Sequence, residues 1–241
     1  MEYRKILYDR YRATHFGWIN PDEFVDRVSE FEADYGGLLP EDRAARILDV
    51  GCGMGHFLRY LRARGCRDCV GVDISPDQVA FCRAQGLDNV ELVEDLFRYL
   101  EAHAGTFELV TMNDVLEHFT KDEIVRLLIL TKGALKPGGR IVVRTPNISC
   151  AYGPYGRYID FTHEIVFSEL SLKQVLLAVG FEDVVVRGNR VALTLRPKRI
   201  LLLLVRRIWF SILKLIYLIE AGMDRPTIYT KVLVASGRKE G

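Results

Sequence analysis

Charge of one sign and paired cysteines are what this sequence lacks. Its 33 lysines and arginines stand against 32 aspartates and glutamates, a net charge of +1 over 241 residues. Nucleic acid is disfavoured as a partner, because a polyanion calls for a broad basic field, and here only a local basic cluster appears late in the chain. The five cysteines show no paired framework of the kind that staples small secreted domains. Cys66 and Cys69 form a C-x-x-C, but Cys52, Cys82 and Cys150 supply no second ligand pair at zinc-site spacing. The cysteines read as small apolar fillers, and no metal site is assigned. The opening stretch MEYRKILYDR lacks a continuous apolar run of the secretory kind, so a reducing cytosol is the expected setting.

What is present is a regular alternation of elements. The length exceeds the modal domain of about 100 to 150 residues but suits one α/β domain with an extension. Residues 1–45 form a helical lead-in, in which Asn20, Pro21 and Glu23 start a helix towards Tyr35 and Gly36 and Gly37 end it. Residues 46–241 then form the main domain. Strands are predicted over Ile47 to Val50, Cys69 to Asp73, Val90 to Val93, Phe107 to Met112 and Gly139 to Arg144. Helices separate them, with start signals at Ser75-Pro76-Gln78 and at Thr120 with Glu123. A helix over about Ser168 to Val179, a sixth strand over about Glu182 to Leu195 and a seventh over Thr227 to Ser236 complete the pattern. It implies an α/β fold, a doubly wound, mostly parallel sheet flanked by helices.

In such sheets ligands sit outside the carboxyl ends of the strands. At the first of these ends the sequence reads DVGCGMGHF, Asp49 to Phe57, a buried strand running into a glycine loop that opens a helix. Gly51, Gly53 and Gly55 let the backbone turn sharply and approach a ligand closely. Asp73 closes the next apolar run twenty-two residues after Gly51, where a carboxylate can accept hydrogen bonds from ribose hydroxyls. Dinucleotide enzymes share this layout, but with G-x-G-x-x-G spacing, and Asp49 just before the loop is a poor neighbour for a pyrophosphate. It suits a cation. S-adenosylmethionine carries a sulfonium and an amino group beside its ribose and adenine, which matches an acid at each of two strand ends.

DVGCGMG followed by GVDIS resembles the class I S-adenosylmethionine-dependent methyltransferases, and the likeness extends over roughly Ile47 to Lys239. It implies a Rossmann-like, seven-stranded sheet and S-adenosylmethionine as cofactor. By that resemblance the donor is held by Asp49, by the loop at Gly51, Cys52, Gly53 and Gly55, and by Asp73 with the adjoining Ile74. Asp95 and Leu96 then flank the adenine, although Asp95 also reads as a helix cap. Asn113 lines the methionine part with Asp114, while Asp114 or His118 looks towards the acceptor.

Methyl transfer is an in-line displacement, so much of the work is holding the nucleophile in place. A weakly acidic hydroxyl also needs a base, and histidine titrates nearest neutrality. His15 and His103 fall outside the strand-end rim, and His56 opens the first helix as a cofactor neighbour or exposed cap. His118 and His163 remain. His163 stands in DFTHE between Asp160 and Glu164, where a carboxylate can orient the ring, and it is the favoured base. The competing reading has Asp160 and His163 pinning their loop to the sheet.

Residues 197–222 interrupt the minimal pattern between strands six and seven with an apolar, basic segment whose centre reads ILLLLVRRIWFSILKLIYLI. Arg206, Arg207 and Lys214 within it oppose a transmembrane span, as does the return of the seventh strand to the sheet. The segment reads as an amphipathic helix lying on a membrane surface through Arg199 to Ile219, with a homodimer contact or a face packed on its own domain as the competing reading. DFTHE, FSELSLKQVLLAVGF and this helix together resemble methyltransferases of envelope polysaccharide and lipopolysaccharide synthesis. That resemblance implies a peripheral enzyme on the inner face of the cell membrane that methylates a hydroxyl of a lipid-linked glycan. An isoprenoid quinone or lipid headgroup is the rival acceptor, and a non-catalytic S-adenosylmethionine-binding protein is the rival outside enzymology.

Overall fold

The structure is a computed structural model and describes residues 2–15, 24–190 and 197–241. Asn20, Pro21 and Glu23, read above as a helix start, and residues 191–195, read as the end of the sixth strand, lie outside these. The lead-in contributes α1 (Glu2–Tyr8), α2 (Tyr11–His15) and α3 (Phe24–Tyr35). The alternating part follows as β1 (Arg46–Val50), α4 (His56–Ala63), β2 (Asp68–Asp73), α5 (Pro76–Ala84), β3 (Val90–Leu92), α6 (Leu96–Ala102) and β4 (Phe107–Asn113). After a short 3₁₀ turn at Leu116–His118 come α7 (Lys121–Ala134), β5 (Leu135–Pro146), α8 (Gly153–Tyr158), α9 (Glu169–Ala178), β6 (Glu182–Gly188), α10 (Pro197–Ala221) and β7 (Val232–Arg238).

The seven strands lie in the order β3-β2-β1-β4-β5-β7-β6, parallel except for β7, which runs antiparallel to both neighbours. The chain winds outward from β1 to β3 and then returns to start β4 beside β1, so the winding reverses between these two strands. Such a switch point opens a crevice at the carboxyl ends.

Alternation along each strand divides the core. Leu48, Val50, Val110, Met112, Ile141 and Val143 face Leu127 and Leu128 of α7 and Leu172 and Leu176 of α9. Their neighbours Ile47, Leu109, Val142 and Val234 face the opposite side, packing with Phe57, Leu58 and Leu61 of α4 and Val79 of α5. Cys52, Cys66, Cys69 and Cys82 fill this second layer as free thiols. From the lead-in, α3 caps the same layer, its Phe31 and Tyr35 rings lying 5.1 and 4.6 Å from Phe57.

Two strand boundaries differ from the sequence reading for traceable reasons. β5 begins earlier, because Leu135 already pairs with Phe107 before the register shifts across the Pro137-Gly138-Gly139 turn. β7 begins later, because the buried Glu169 accepts the backbone N–H groups of Thr227 at 2.6 Å and Ile228 at 2.9 Å and so draws that segment away from the sheet.

α10 docks through a narrow stripe. The Phe210 and Tyr217 rings lie 6.5 and 5.7 Å from the Tyr229 ring, Leu213 is buried between them in sequence, and the Tyr217 hydroxyl donates to the Ser149 carbonyl at 3.2 Å. The opposite side of the helix, with Leu204, Ile208, Ile212, Leu215 and Ile219, is exposed. Among the described residues no helix is long and apolar enough to cross a membrane.

Candidate active site

A cavity of about 1340 Å³ opens at the switch point, beyond the ends of β1, β2 and β4. Ligand pockets usually run to about 300 to 1,000 Å³, so this one has room for a nucleoside and a second molecule. The glycine loop forms its floor. Gly51 has φ +63°, and a Cβ there would lie 2.6 Å from Val115 Cγ2, so only glycine lets the loop pass this close to the segment after β4. Gly51, Cys52 and Gly53 border the cavity, whereas Gly55 sits behind it and turns the chain into α4. The Cys52 side chain points into the core beneath Gly71, so this residue offers the cavity its backbone.

Asp73 ends β2 and is the hinge of the cradle. Its two oxygens accept from the Gly53 N–H and the Ser75 N–H, each at 2.8 Å, which ties the loop to the second strand. Burial raises its pKa and the two backbone donors oppose that rise. Each carboxylate oxygen has a second lone pair, so the residue can still receive a pair of vicinal hydroxyls. Ile74 beside it is partly exposed on the cavity wall.

Asp49 lies near the end of β1, 1 % exposed. Its Oδ1 accepts from the Thr111 hydroxyl at 2.9 Å and the Asn113 amide at 3.2 Å. The Tyr35 hydroxyl donates to Asn113 Oδ1, which fixes the amide so that its nitrogen faces Asp49. Burial pushes the Asp49 carboxyl up to about 7. A buried acid so poised is drawn to ionise by a cation in the cavity.

The remaining rim residues divide their work. Asp95 caps α6, accepting the Arg98 N–H at 3.0 Å, and also borders the cavity with Leu96. Asp114 takes a left-handed backbone at φ 56° and forms an ion pair with Arg144. Its strain sets the turn after β4, where the chain leaves the sheet for the acceptor side.

At the far end His118, Asp160 and His163 come together. The two rings are 4.8 Å apart, although the residues are 45 positions apart in sequence. His163 Nδ1 meets the Gly156 carbonyl at 2.8 Å, and His118 Nδ1 meets the Thr162 hydroxyl at 2.7 Å. Asp160 accepts from the Thr162 hydroxyl at 2.7 Å, the Thr162 N–H at 2.8 Å and the Tyr11 hydroxyl. Burial works against its charge, but these donors prevail and hold its carboxyl below the usual range.

Three participants were not named from the sequence. Glu117 is fully buried, and burial followed by the Asp114 charge pushes its carboxyl well above the usual range. It stands directly before His118, and an acid in a short turn between a strand and a capped helix was the available signal. Tyr8 and Tyr11 arrive from α1 and α2 to cover the cavity, joined to its edge by the Ser75 hydroxyl donating to the Tyr8 carbonyl at 2.7 Å. No local pattern marks them.

A family model described as a methyltransferase domain matches residues 21–186. The chain belongs to this family. It is a class I S-adenosylmethionine-dependent methyltransferase domain, and the donor set of Asp49, Asp73 and the glycine loop fits that cofactor's cation and ribose. Among curated proteins it is similar to the ubiquinone biosynthesis O-methyltransferase of Xylella fastidiosa, 27 % identical over 159 residues covering 62 % of each chain. The corresponding protein of Xanthomonas axonopodis pv. citri is 29 % identical over 149 residues, 58 % of this chain and 60 % of the relative. The match thus spans about three fifths of these relatives' length. Among solved structures, an S-adenosylmethionine-dependent methyltransferase from Archaeoglobus fulgidus superposes with TM-score 0.66 at 24 % identity, covering 90 % of this chain and 98 % of that chain. Phosphoethanolamine N-methyltransferase 2 of Haemonchus contortus, in complex with S-adenosyl-L-methionine, gives TM-score 0.63 at 19 % identity over 100 % and 60 % of the two chains. These two share the fold.

Proposed function

We propose that this domain methylates an oxygen of an acceptor met at a membrane surface, a ring hydroxyl of an isoprenoid quinone precursor. The observation that carries the reading is the position of α10. Its inner stripe rests on Ser149 and Tyr229, and the cavity wall includes the neighbouring Asn147 and Tyr152, so the exposed apolar face and the cavity share one segment. The exposed Trp209 suits the headgroup level, and Arg207 and Lys214 beside the apolar face meet anionic headgroups of an inner leaflet. The similarity to ubiquinone biosynthesis O-methyltransferases supports an apolar ring acceptor. The glycan hydroxyl expected from DFTHE and its surroundings finds no support in the family match or these relatives.

The bound donor supplies its methyl group as a substituent of a sulfonium. Asp73 receives the ribose hydroxyls, and Asp49 faces the cationic end. The apolar walls at Phe119, Ile159 and Tyr8 hold a flat ring and keep water away. Because a carbonyl only accepts, His163 carries its proton at Nδ1 towards Gly156 and its lone pair at Nε2, where it receives the acceptor's proton.

The test is transfer of radiolabelled methyl from S-adenosylmethionine to a polyprenyl catechol in vesicles of phosphatidylethanolamine and phosphatidylglycerol, with saccharide acceptors alongside. Label in the ring ether, with flotation lost in an Ile208→Glu, Ile212→Glu variant, supports the proposal. Label in the saccharide alone restores the glycan reading. A variant that still floats, or a wild type that forms dimers in place of floating, rejects the membrane role of α10.

A further inference from the structure

Three side chains at the acceptor end converge. Glu117, His118 and His163 each offer one ligand atom, a carboxylate oxygen or a ring nitrogen, and these atoms lie within 4.8 Å of one another. A divalent cation with ligands at about 2.0 to 2.2 Å holds them about 3 to 4.4 Å apart, so a contraction of a few tenths of an ångström brings all three onto one ion.

The second observation is independent of that spacing. Glu117 is 0 % exposed, its Oε2 accepts from the Thr145 hydroxyl at 3.0 Å, and its Oε1 is buried with no hydrogen-bond partner among the described residues. Buried carboxylate oxygens are normally matched by a donor or a cation, and nothing among the described residues matches this one.

The histidines are also held as ligands are held. His163 donates from Nδ1 to the Gly156 carbonyl. Thr162 gives its hydroxyl proton to Asp160 and accepts from His118 Nδ1. In the neutral form of each ring these bonds place the lone pair at Nε2, and outer partners of this type orient metal-binding histidines and strengthen them as donors.

We infer that Glu117, His118 and His163 bind one divalent cation at the acceptor end of the cavity, where it takes the acceptor's hydroxyl oxygen as a further ligand. The inference rests on the reading of methyl transfer to oxygen and changes one detail of it. With the ion present, the two Nε2 atoms hold the cation, and its charge loosens the hydroxyl proton. That proton passes to solvent water while the oxygen forms its bond to the methyl carbon and the sulfur keeps the electron pair of the bond that breaks.

The full chain, stripped with a chelator and dialysed, is titrated with MnCl₂ and with ZnCl₂ by calorimetry, and the manganese sample is followed by electron paramagnetic resonance. One ion per chain is expected, bound about 10- to 100-fold more weakly in Glu117→Gln and in His118→Gln. Affinity for S-adenosylhomocysteine, measured on the same samples, reports whether each variant is folded. Should either variant fail to fold, Thr162→Val takes its place, with a loss of about tenfold expected from a misdirected His118. A wild type that binds neither ion, or variants that bind as tightly as wild type, overturns the inference. Failure to bind S-adenosylhomocysteine defeats the methyltransferase reading instead, and the ion titration still decides whether the metal site exists.

Discussion

Replacing Asp49 by asparagine should make the ligand-free protein more stable while weakening its hold on the donor. Both hydrogen bonds that Asp49 accepts end on Oδ1, so an asparagine carbonyl can take the same position and the packing is conserved. What changes is the charge. Burial raises this carboxyl from its ordinary 3.8 to about 7, so the folded chain binds a proton that the unfolded chain has already released. A group raised in this way contributes stability that is fully present below its unfolded value and is lost as pH rises through the folded value, here between about pH 4 and 7. At 1.36 kcal/mol for each unit, the loss by pH 8 is of order 4 kcal/mol at most. Asparagine is neutral throughout and escapes it. With roughly 2 to 4 °C of melting temperature per kcal/mol in a chain of this size, the variant should melt several degrees above wild type at pH 8, by clearly less at pH 5, and level with it only near pH 4. Its affinity for S-adenosylhomocysteine should fall by the worth of a charged hydrogen bond, about 1.5 to 3 kcal/mol. Wild-type affinity should itself decline below pH 7, because Asp49 must then release a proton to bind. Differential scanning calorimetry between pH 4 and 8.5, with and without ligand, reads all of this. A variant no more stable than wild type at pH 8, or a difference that does not grow with pH, refutes the reasoning.

Three further outcomes are expected. Asp73→Ala removes the acceptor for the ribose and unties Gly53 and Ser75, so calorimetric affinity for S-adenosylhomocysteine should drop by about 1.5 to 3 kcal/mol, and an unchanged value rejects the ribose assignment. His163→Ala should lower kcat by about 10²- to 10⁴-fold with donor affinity intact, whereas full turnover returns His163 to the role of a loop fastener through contacts such as its bond to Gly156. Gly55→Ala forces a Cβ to within 2.3 Å of Leu87 Cδ1 at φ +75°, and urea denaturation should show a loss of about 1 to 3 kcal/mol, a wild-type midpoint being the contrary result.

The frame of the molecule was legible because its signals are local. Short, nearly continuous apolar runs mark β1, β2 and β4, Thr120 with Glu123 and Ser168 mark the starts of α7 and α9, and glycines mark the turns between them. The ends of β5 and β7 were misjudged because partners distant in sequence, Phe107 for one and Glu169 for the other, decide where pairing begins. α8 was missed within a loop rich in glycine and tyrosine, where no apolar periodicity announces a helix.

The sequence by itself determined an alternating α/β chain, a glycine loop after its first strand and an acid at the end of each of its first two strands, since all of these follow from spacing within a few dozen residues. Tertiary structure alone decided what surrounds those acids and what the acceptor meets. Tyr35 reaches Asn113 across 78 positions and Tyr11 reaches Asp160 across 149, while Glu117 becomes a buried carboxylate only once the sheet and two loops close over it. Contacts of that range leave no periodic trace along the chain, because they depend on where a strand ends in space and not on which residues adjoin it.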